Sequence, residues 1–276
     1  MIELGISSLG HIIENGISGK FKNLADLLLK SSENCLDYAE KHGIKVVELV
    51  LDPLEFYNEK IKQKFIVLVN SYSIKKQIHG PFIDLNLCSH NSDISKASIN
   101  SYRSAALISK KLKSNVITIH PGYANFLINS IRKYNKEQLA KSVNNLLKFT
   151  NKLNLITCLE NMPKRCNIML EENDIEDIIL KINNNIYLTY DTSHFFTCSG
   201  NVESLWQKFH TIIKNIHVVD NYTKNSDTHP CLGTGKINFK EIFEIISNYK
   251  YEGALIIELS SSRDLEPSID FLNKFF

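Results

Sequence analysis

The stretch from Ile186 to Gly235 reads IYLTYDTSH, then IHVVD after a helical interval, then DTHPCLGTG. It brings Asp191, His194, His217, Asp227 and His229 into one short span. All are side chains that ligate zinc and similar divalent metals. Four more of the same types close other apolar runs. His79 precedes Gly80-Pro81, His120 precedes Pro121-Gly122, Glu160 precedes Asn161, and Glu258 nearly ends ALIIEL. A single histidine at a strand end is commonly a hydrogen-bonded core or rim residue. A single carboxylate there often caps the next helix, and Asp191 before Thr192-Ser193 fits such a cap. Nine such residues on consecutive units do not fit that explanation. Four carboxylates and five imidazoles drawn together without cations would be costly.

Imidazole and carboxylate donors without cysteine favour Zn, Mn, Fe or Co over Mg or Ca. A catalytic zinc ion takes about three protein ligands plus water, so nine ligands imply two or three ions. Closely spaced ions suit displacement at phosphorus, where they activate water and hold both the attacking and the leaving oxygen.

The elements that must position these groups alternate along the chain. Apolar runs at Ile2–Ser7, Lys45–Leu51, Lys76–His79, Asn115–His120, Leu155–Glu160, Ile186–Asp191, Asn215–Val219 and Ala254–Leu259 read as strands. Most are near-continuously apolar, as parallel strands buried on both faces are. Helical periodicity covers Leu24–Lys41, Tyr57–Asn70, Ser95–Leu112, Lys136–Asn151, Glu172–Lys181, Val202–Ile213, Phe239–Asn248 and Glu266–Phe276. Eight strand–helix units close a parallel (β/α)8 barrel, whose strand ends converge on one mouth. An open doubly wound sheet is disfavoured, because no GxGxxG follows a strand. The expectation is a single TIM-barrel domain over residues 1–276, an ordinary length for that fold.

Hydrophobic residues make up 43% and charged residues 22%, with a net charge of +2. That is globular composition without the footprint of a strongly basic nucleic-acid binder. The KKLK run at Lys110–Lys113 reads as the solvated end of a helix. None of the six cysteines forms a CxxC pair, so reduced thiols and a cytoplasmic setting are expected. The N-terminus lacks the pattern of a signal peptide, and no apolar run reaches the ~18 residues of a membrane span. His11, His42, His90 and His210 fall outside the ligand set and are expected at the surface.

The motifs HGPFIDLNL, IHPG, LEN, DTSH, HVVD, DTHPCLGTG and IEL resemble the xylose-isomerase-like TIM-barrel superfamily. That superfamily includes endonuclease IV, a zinc-dependent enzyme of abasic-site repair, and many sugar or sugar-phosphate isomerases and epimerases. The resemblance spans nearly the whole chain, and its DxHxxLGxG pattern, Asp227 to Gly235, is the specific part. It implies three zinc ions, with Mn2+ or another divalent metal as alternatives. One ion would be held by His79, His120 and a bridging Glu160. A second would take Glu160, Asp191, His217 and Glu258, and the third His194, Asp227 and His229. By that resemblance, a metal-bridging hydroxide would cleave DNA 5′ to an abasic site. Phe82 and Ile83 match positions inserted near the DNA, and Lys236, with Lys164, Arg165 and Lys224, is a candidate for a basic rim.

The isomerase branch implies a different use of the same mouth. One ion on Glu160, Asp191, His217 and Glu258 would suffice, with Glu160 and Glu258 moving protons on a sugar or sugar phosphate. A small pocket roofed by Phe82, Tyr123 and Phe195 is expected in that case. The chain departs from endonuclease IV in its first strand, in the absence of an Arg after VVELVLDPLEF, and at Ser193, where that family's DTCH has Cys. A third possibility is a barrel whose metals are only structural, but such sites are usually closed, tetrahedral and Cys-rich.

Overall fold

Runs of Val, Ile and Leu form eight strands: β1 (Glu3–Ser7), β2 (Val46–Val50), β3 (Lys75–His79), β4 (Val116–Ile119), β5 (Ile156–Glu160), β6 (Tyr187–Asp191), β7 (Ile213–Val218) and β8 (Ala254–Ile257). The computed structural model describes residues 2–21, 23–52 and 58–275. The strands form a closed barrel in chain order, and parallel pairing of β8 with β1 completes it. The sequence predicts each strand to within two residues at either end. Every residue of β2 is buried, as expected for a strand covered on both faces.

The helices are α1 (Leu9–Ile17), α2 (Leu24–Lys41), α3 (Glu59–Asn70), α4 (Ser92–Lys111), α5 (Asn129–Thr150), α6 (Glu172–Ile179), α7 (Thr192–Cys198), α8 (Val202–Phe209), α9 (Phe239–Asn248) and α10 (Leu265–Leu272). Asparagine side chains at Asn23, Asn58, Asn91, Asn201 and Asn238 cap α2, α3, α4, α8 and α9. No helix among the described residues is long and apolar enough to cross a membrane.

Five helices differ from the sequence reading. The segment after β1, to which the sequence assigns no helix, forms α1, whose Gly10 packs directly on the backbone at Leu259 and Ser261. The short α7 is also new, and Asp191 caps it. Helix α5 begins at Asn129 instead of Lys136, because its first turns are polar and largely exposed and so carry no apolar period. Helix α8 stops at Phe209 instead of Ile213, because β7 takes up Ile213. The predicted Glu266–Phe276 helix stops at Leu272, and in it and the predicted Tyr57–Asn70 helix, Phe276 and Tyr57 lie outside the described residues.

Strand side chains alternate with a period of two, so each barrel-facing position recurs two residues later. Val46, Ala254 and Ile256 form a small apolar cluster of their own. Glu48, Thr118, Thr189 and Asn215 make up a buried polar layer, in which the Thr118 and Thr189 hydroxyls meet at 2.8 Å. Two residues after Thr118, Cys158, Thr189, Asn215 and Ile256 come His120, Glu160, Asp191, His217 and Glu258. The pleat therefore delivers the candidate ligands to one end of the barrel.

Candidate metal centre

Glu160 stands at the middle of the mouth. Its Oε2 lies 2.8 Å from His120 Nε2 and 3.6 Å from His79 Nε2. Its Oε1 lies 2.9 Å from His217 Nδ1 and 3.5 Å from His194 Nδ1. The two oxygens of one carboxylate thus face two separate pairs of imidazoles. Asp191 Oδ2 and Glu258 Oε2 approach His217 Nδ1 at 3.8 and 3.9 Å. On the other side Asp227 spans two rings, 3.1 Å from His194 Nε2 through Oδ2 and 3.1 Å from His229 Nε2 through Oδ1. All nine sequence-predicted ligands therefore meet, in four overlapping groups whose ligand atoms lie within 4.8 Å of one another.

Several rings are held from behind. His79 Nδ1 is 2.8 Å from Gly80 O, and His194 Nδ1 is 2.9 Å from Asn161 O. A carbonyl only accepts, so those Nδ1 atoms carry the hydrogen and Nε2 presents its lone pair inward. His217 is turned the other way, with Nε2 2.9 Å from the Glu48 carboxylate and Nδ1 facing the other ligands. The Asp191 side chain performs two tasks. Oδ1 accepts from His194 N at 2.7 Å and caps α7, while Oδ2 stays free for the centre.

The donor set fits divalent cations. Among the described residues, Glu160 Oε2, Asp191 Oδ2, Glu258 Oε2, His120 Nε2 and His229 Nδ1 are buried without a properly formed hydrogen bond. Buried polar atoms are normally satisfied, so so many at one spot mark a place for an ion. The electrostatics agree. Burial alone would lower the His79 and His194 pKa values. Glu160 outweighs it at His79 and raises that pKa to about 9, and Asp191 with Asp227 raises His194 to about 10. Burial pushes Asp191 up to about 6. Without metal, the carboxylates hold protons on the imidazoles in place of cations.

The loop after β7 owes its shape to Asp220 and Asn221. Asp220 Oδ2 accepts from the N–H of Gly233 at 2.9 Å and of Gly235 at 2.8 Å. A Cβ on Gly235 would run into that carboxylate, which explains the second glycine of LGTG. Asn221 Nδ2 donates to Ser193 Oγ at 2.9 Å, and Ser193 Oγ donates to Asp227 Oδ1 at 2.7 Å. His229 adopts a left-handed φ of 48°, and its carbonyl is gripped by Ser260 through N at 2.9 Å and Oγ at 3.0 Å.

Above the ligands lies a cavity of about 420 Å³. Leu9, Ile12 and Ile13 from α1, with Val50, Phe82 and Ile83, give it an apolar wall, and Arg165 stands at its cationic side. The Asp52 carboxylate holds the Phe82–Ile83 turn, accepting from both backbone N–H groups at 2.9 and 2.7 Å. Phe82 sits 5.3 Å from the His79 ring, and Tyr123 also lines the mouth. Lys164, Arg165 and Lys224 border an adjoining cavity of about 250 Å³.

Some expectations fail here. Lys236 is exposed and lines neither cavity, because its loop turns outward where its N–H donates to Asn221 O. Phe195 does not roof the pocket. Its position on α7 sends it into the core against Tyr190. His11 is buried rather than exposed, and His210 is half-buried against Tyr249. The residues that sequence reasoning missed are Glu48, Asp52, Asp220 and Asn221. The available signal at Glu48 was one charge inside the apolar run VVELVL.

The family model described as xylose isomerase-like TIM barrel matches residues 36–275. The chain belongs to the xylose isomerase-like TIM-barrel family. An uncharacterised protein of Methanocaldococcus jannaschii is 31% identical over 257 residues, covering 90% of this chain and 96% of that one. A probable endonuclease 4 of Finegoldia magna is 24% identical over 222 residues, covering 74% of this chain and 75% of that one. Among solved structures, a D-tagatose 3-epimerase-like protein superposes with a TM-score of 0.82 at 25% identity, covering 99% and 97% of the two chains. The chain's relatives thus include one described as a probable endonuclease and one as a D-tagatose 3-epimerase-like protein.

Proposed function

We propose that this family member is a metal-dependent phosphodiesterase with three ions, zinc foremost, and that DNA with an abasic site is the substrate to test first. One observation carries the reading: Glu160 turns one oxygen to His79 and His120 and the other to His217, with His194, Asp227 and His229 forming a further group beside them. A single-ion epimerase would need only Glu160, Asp191, His217 and Glu258. The remaining five ligands would have no task in it. Bound ions would supply an activated water and neutralise the oxygens around phosphorus.

The chain's own residues would prepare that site. Glu160, with one oxygen beside His79 and His120 and the other beside His217, would serve as a ligand to ions on either side of it. Asp52 holds Phe82 and Ile83 at the mouth, where they give its wall an apolar surface. Arg165, 3.7 Å from Asp227, is placed to meet a phosphate oxygen. The apolar wall from α1 offers few partners for a polyhydroxylated ligand, which weighs against a free ketose.

A second reading, a sugar or sugar-phosphate epimerase, is favoured by Glu160 and Glu258 flanking His217 and by the likeness to the D-tagatose 3-epimerase-like protein. The deciding experiment is metal content per chain, followed by assays of abasic-duplex cleavage and of C3 epimerisation of ketoses. About three zinc ions with strand cleavage supports the first reading. A single ion with epimerisation and no cleavage would overturn it.

A further inference from the structure

The ligand rings differ in what stands behind them. Two of them, His79 and His194, rest on neutral backbone carbonyls, Gly80 O and Asn161 O. His217 instead rests on a carboxylate, Glu48, at 2.9 Å, and both residues are fully buried. Glu48 is fixed in its turn. Asn215 Nδ2 donates to Glu48 Oε2 at 2.8 Å and to Thr118 Oγ1 at 3.3 Å. Asn215 Nδ2 also lies 3.2 Å from His217 Nε2, but the Glu48 carboxylate is closer at 2.9 Å and only accepts, so the Nε2 proton goes to Glu48. Without metal, Nδ1 also holds a proton toward Glu160 at 2.9 Å; once a cation replaces that proton, the Nε2–H bound to Glu48 would leave Nδ1 as the lone pair presented beside Glu160, Asp191 and Glu258.

Two consequences follow from the chemistry. A carboxylate behind an imidazole raises its basicity as a ligand, more than a carbonyl does. It also adds a fourth buried negative charge to a group that already has three carboxylates, Glu160, Asp191 and Glu258. The outer group of His194, Asp227 and His229 has only one carboxylate of its own. Coulomb attraction for a dication is therefore strongest at the His217 group.

We propose that Glu48 is a positioning residue that makes the His217 group the tightest of the metal positions, so that this position loads first. This rests on the metal-binding half of the function proposed above and not on phosphoester chemistry.

The test uses full-length protein stripped with chelator and titrated with Zn2+ against a chromophoric competitor, with Co2+ absorption as a second readout. Wild type is expected to bind in resolved steps. Glu48→Gln, which keeps the shape and removes the charge, should weaken the tightest step by about 10- to 100-fold, the effect typical of such outer partners. It should leave the step that His229→Ala abolishes unchanged, and it should alter the Co2+ band of the tight site. Asn215→Ser, which frees the Glu48 carboxylate without removing it, should weaken the same step by less, and carries the test if Glu48→Gln does not fold. An unchanged tightest step, or equal weakening of every step, would overturn the proposal. A wild-type chain that binds no zinc would overturn it together with the metal reading, whereas absent phosphodiesterase activity with ordered loading would overturn only the proposed reaction.

Discussion

The Ser193 hydroxyl donates a 2.7 Å hydrogen bond to Asp227 Oδ1, and Asn221 Nδ2 donates to the same hydroxyl at 2.9 Å. Ser193 stands where the DTCH motif of endonuclease IV has Cys, and a thiol is the weaker donor. In this chain the serine aims a loop carboxylate at His194 and His229. Ser193→Ala should leave the fold intact, at a cost of about 1 kcal/mol for the lost hydrogen bond. Its larger effect should fall on the metal at the outer group, about tenfold weaker, as for other outer-partner losses. Zinc titration of the variant checks this, and unchanged binding at the step that His229→Ala abolishes would count against Ser193 as the orienting group.

The LGTG turn makes a prediction about shape alone. Gly235 lies against Asp220, whose carboxylate gathers the N–H groups of Gly233 and Gly235. Gly235→Ala would force that carboxylate aside and should cost about 1–3 kcal/mol, the usual range for overpacking. Gly16 on α1 is the control, since an added Cβ there meets only the Leu27 side chain at 3.8 Å. Gly16→Ala should be neutral or stabilising by about 0.5–1 kcal/mol, because alanine favours the helix. Urea denaturation of the two variants, with zinc content measured in parallel, separates the turn from a general intolerance to alanine.

Much of this arrangement can be read from the chain, and the limits have physical causes. The nine ligands are visible because each lies at or near a strand end or in a turn-rich loop, marked by Gly-Pro, Pro-Gly or Asn, and because strand period two sends them to one mouth. Glu48 is visible as an oddity, but its partner His217 sits five strands later, and nothing local announces that pairing. Helix α1 is hidden because Gly10 and Gly16 mask its Leu9, Ile12, Ile13 pattern, although Gly10 is there to let the helix approach β8's loop. Phe195 looked like a roof because it follows the metal motif directly. The one turn of helix that Asp191 caps rotates it into the core.

The metal-free chain should show opposite pH limbs. His79 and His194 have folded-state pKa values of about 9 and about 10, above the ordinary 6.5, because facing carboxylates outweigh burial. Between those values the folded chain binds more protons than the unfolded one, so their stabilisation is complete below about pH 6.5 and is lost as pH rises through 9 to 10. His11 behaves oppositely. Burial, partly offset by Glu14, lowers its pKa to about 4, so stability falls as pH drops from 6.5 toward 4. Denaturation midpoints in chelator should therefore peak near neutral pH. Zinc should remove the alkaline limb, since metal replaces those protons, and should leave the His11 limb in place. An alkaline loss of equal size with zinc bound would contradict the assignment of His79 and His194 as ligands.

His229 separates the two reactions considered for this mouth. Its ring is 3.1 Å from Asp227 and 3.4 Å from Glu258, and its left-handed backbone is held by Ser260. Alanine tolerates a φ of 48° less well than histidine, so the substitution should carry a modest stability cost, measurable by denaturation and separable from activity. His229→Ala removes one of three donors from the outer group while leaving Glu160, Asp191, His217 and Glu258 untouched. One zinc per chain should be lost. If the reaction is displacement at phosphorus, removing a group that stabilises developing charge should lower kcat by about 100-fold or more. If the reaction is proton transfer on a ketose, Glu160 and Glu258 still flank a complete single-ion site, and turnover should stay within a few-fold of wild type. Measuring metal content, cleavage and epimerisation on the same preparation decides the matter. Loss of the ion with undiminished cleavage would remove the outer group from the reaction altogether.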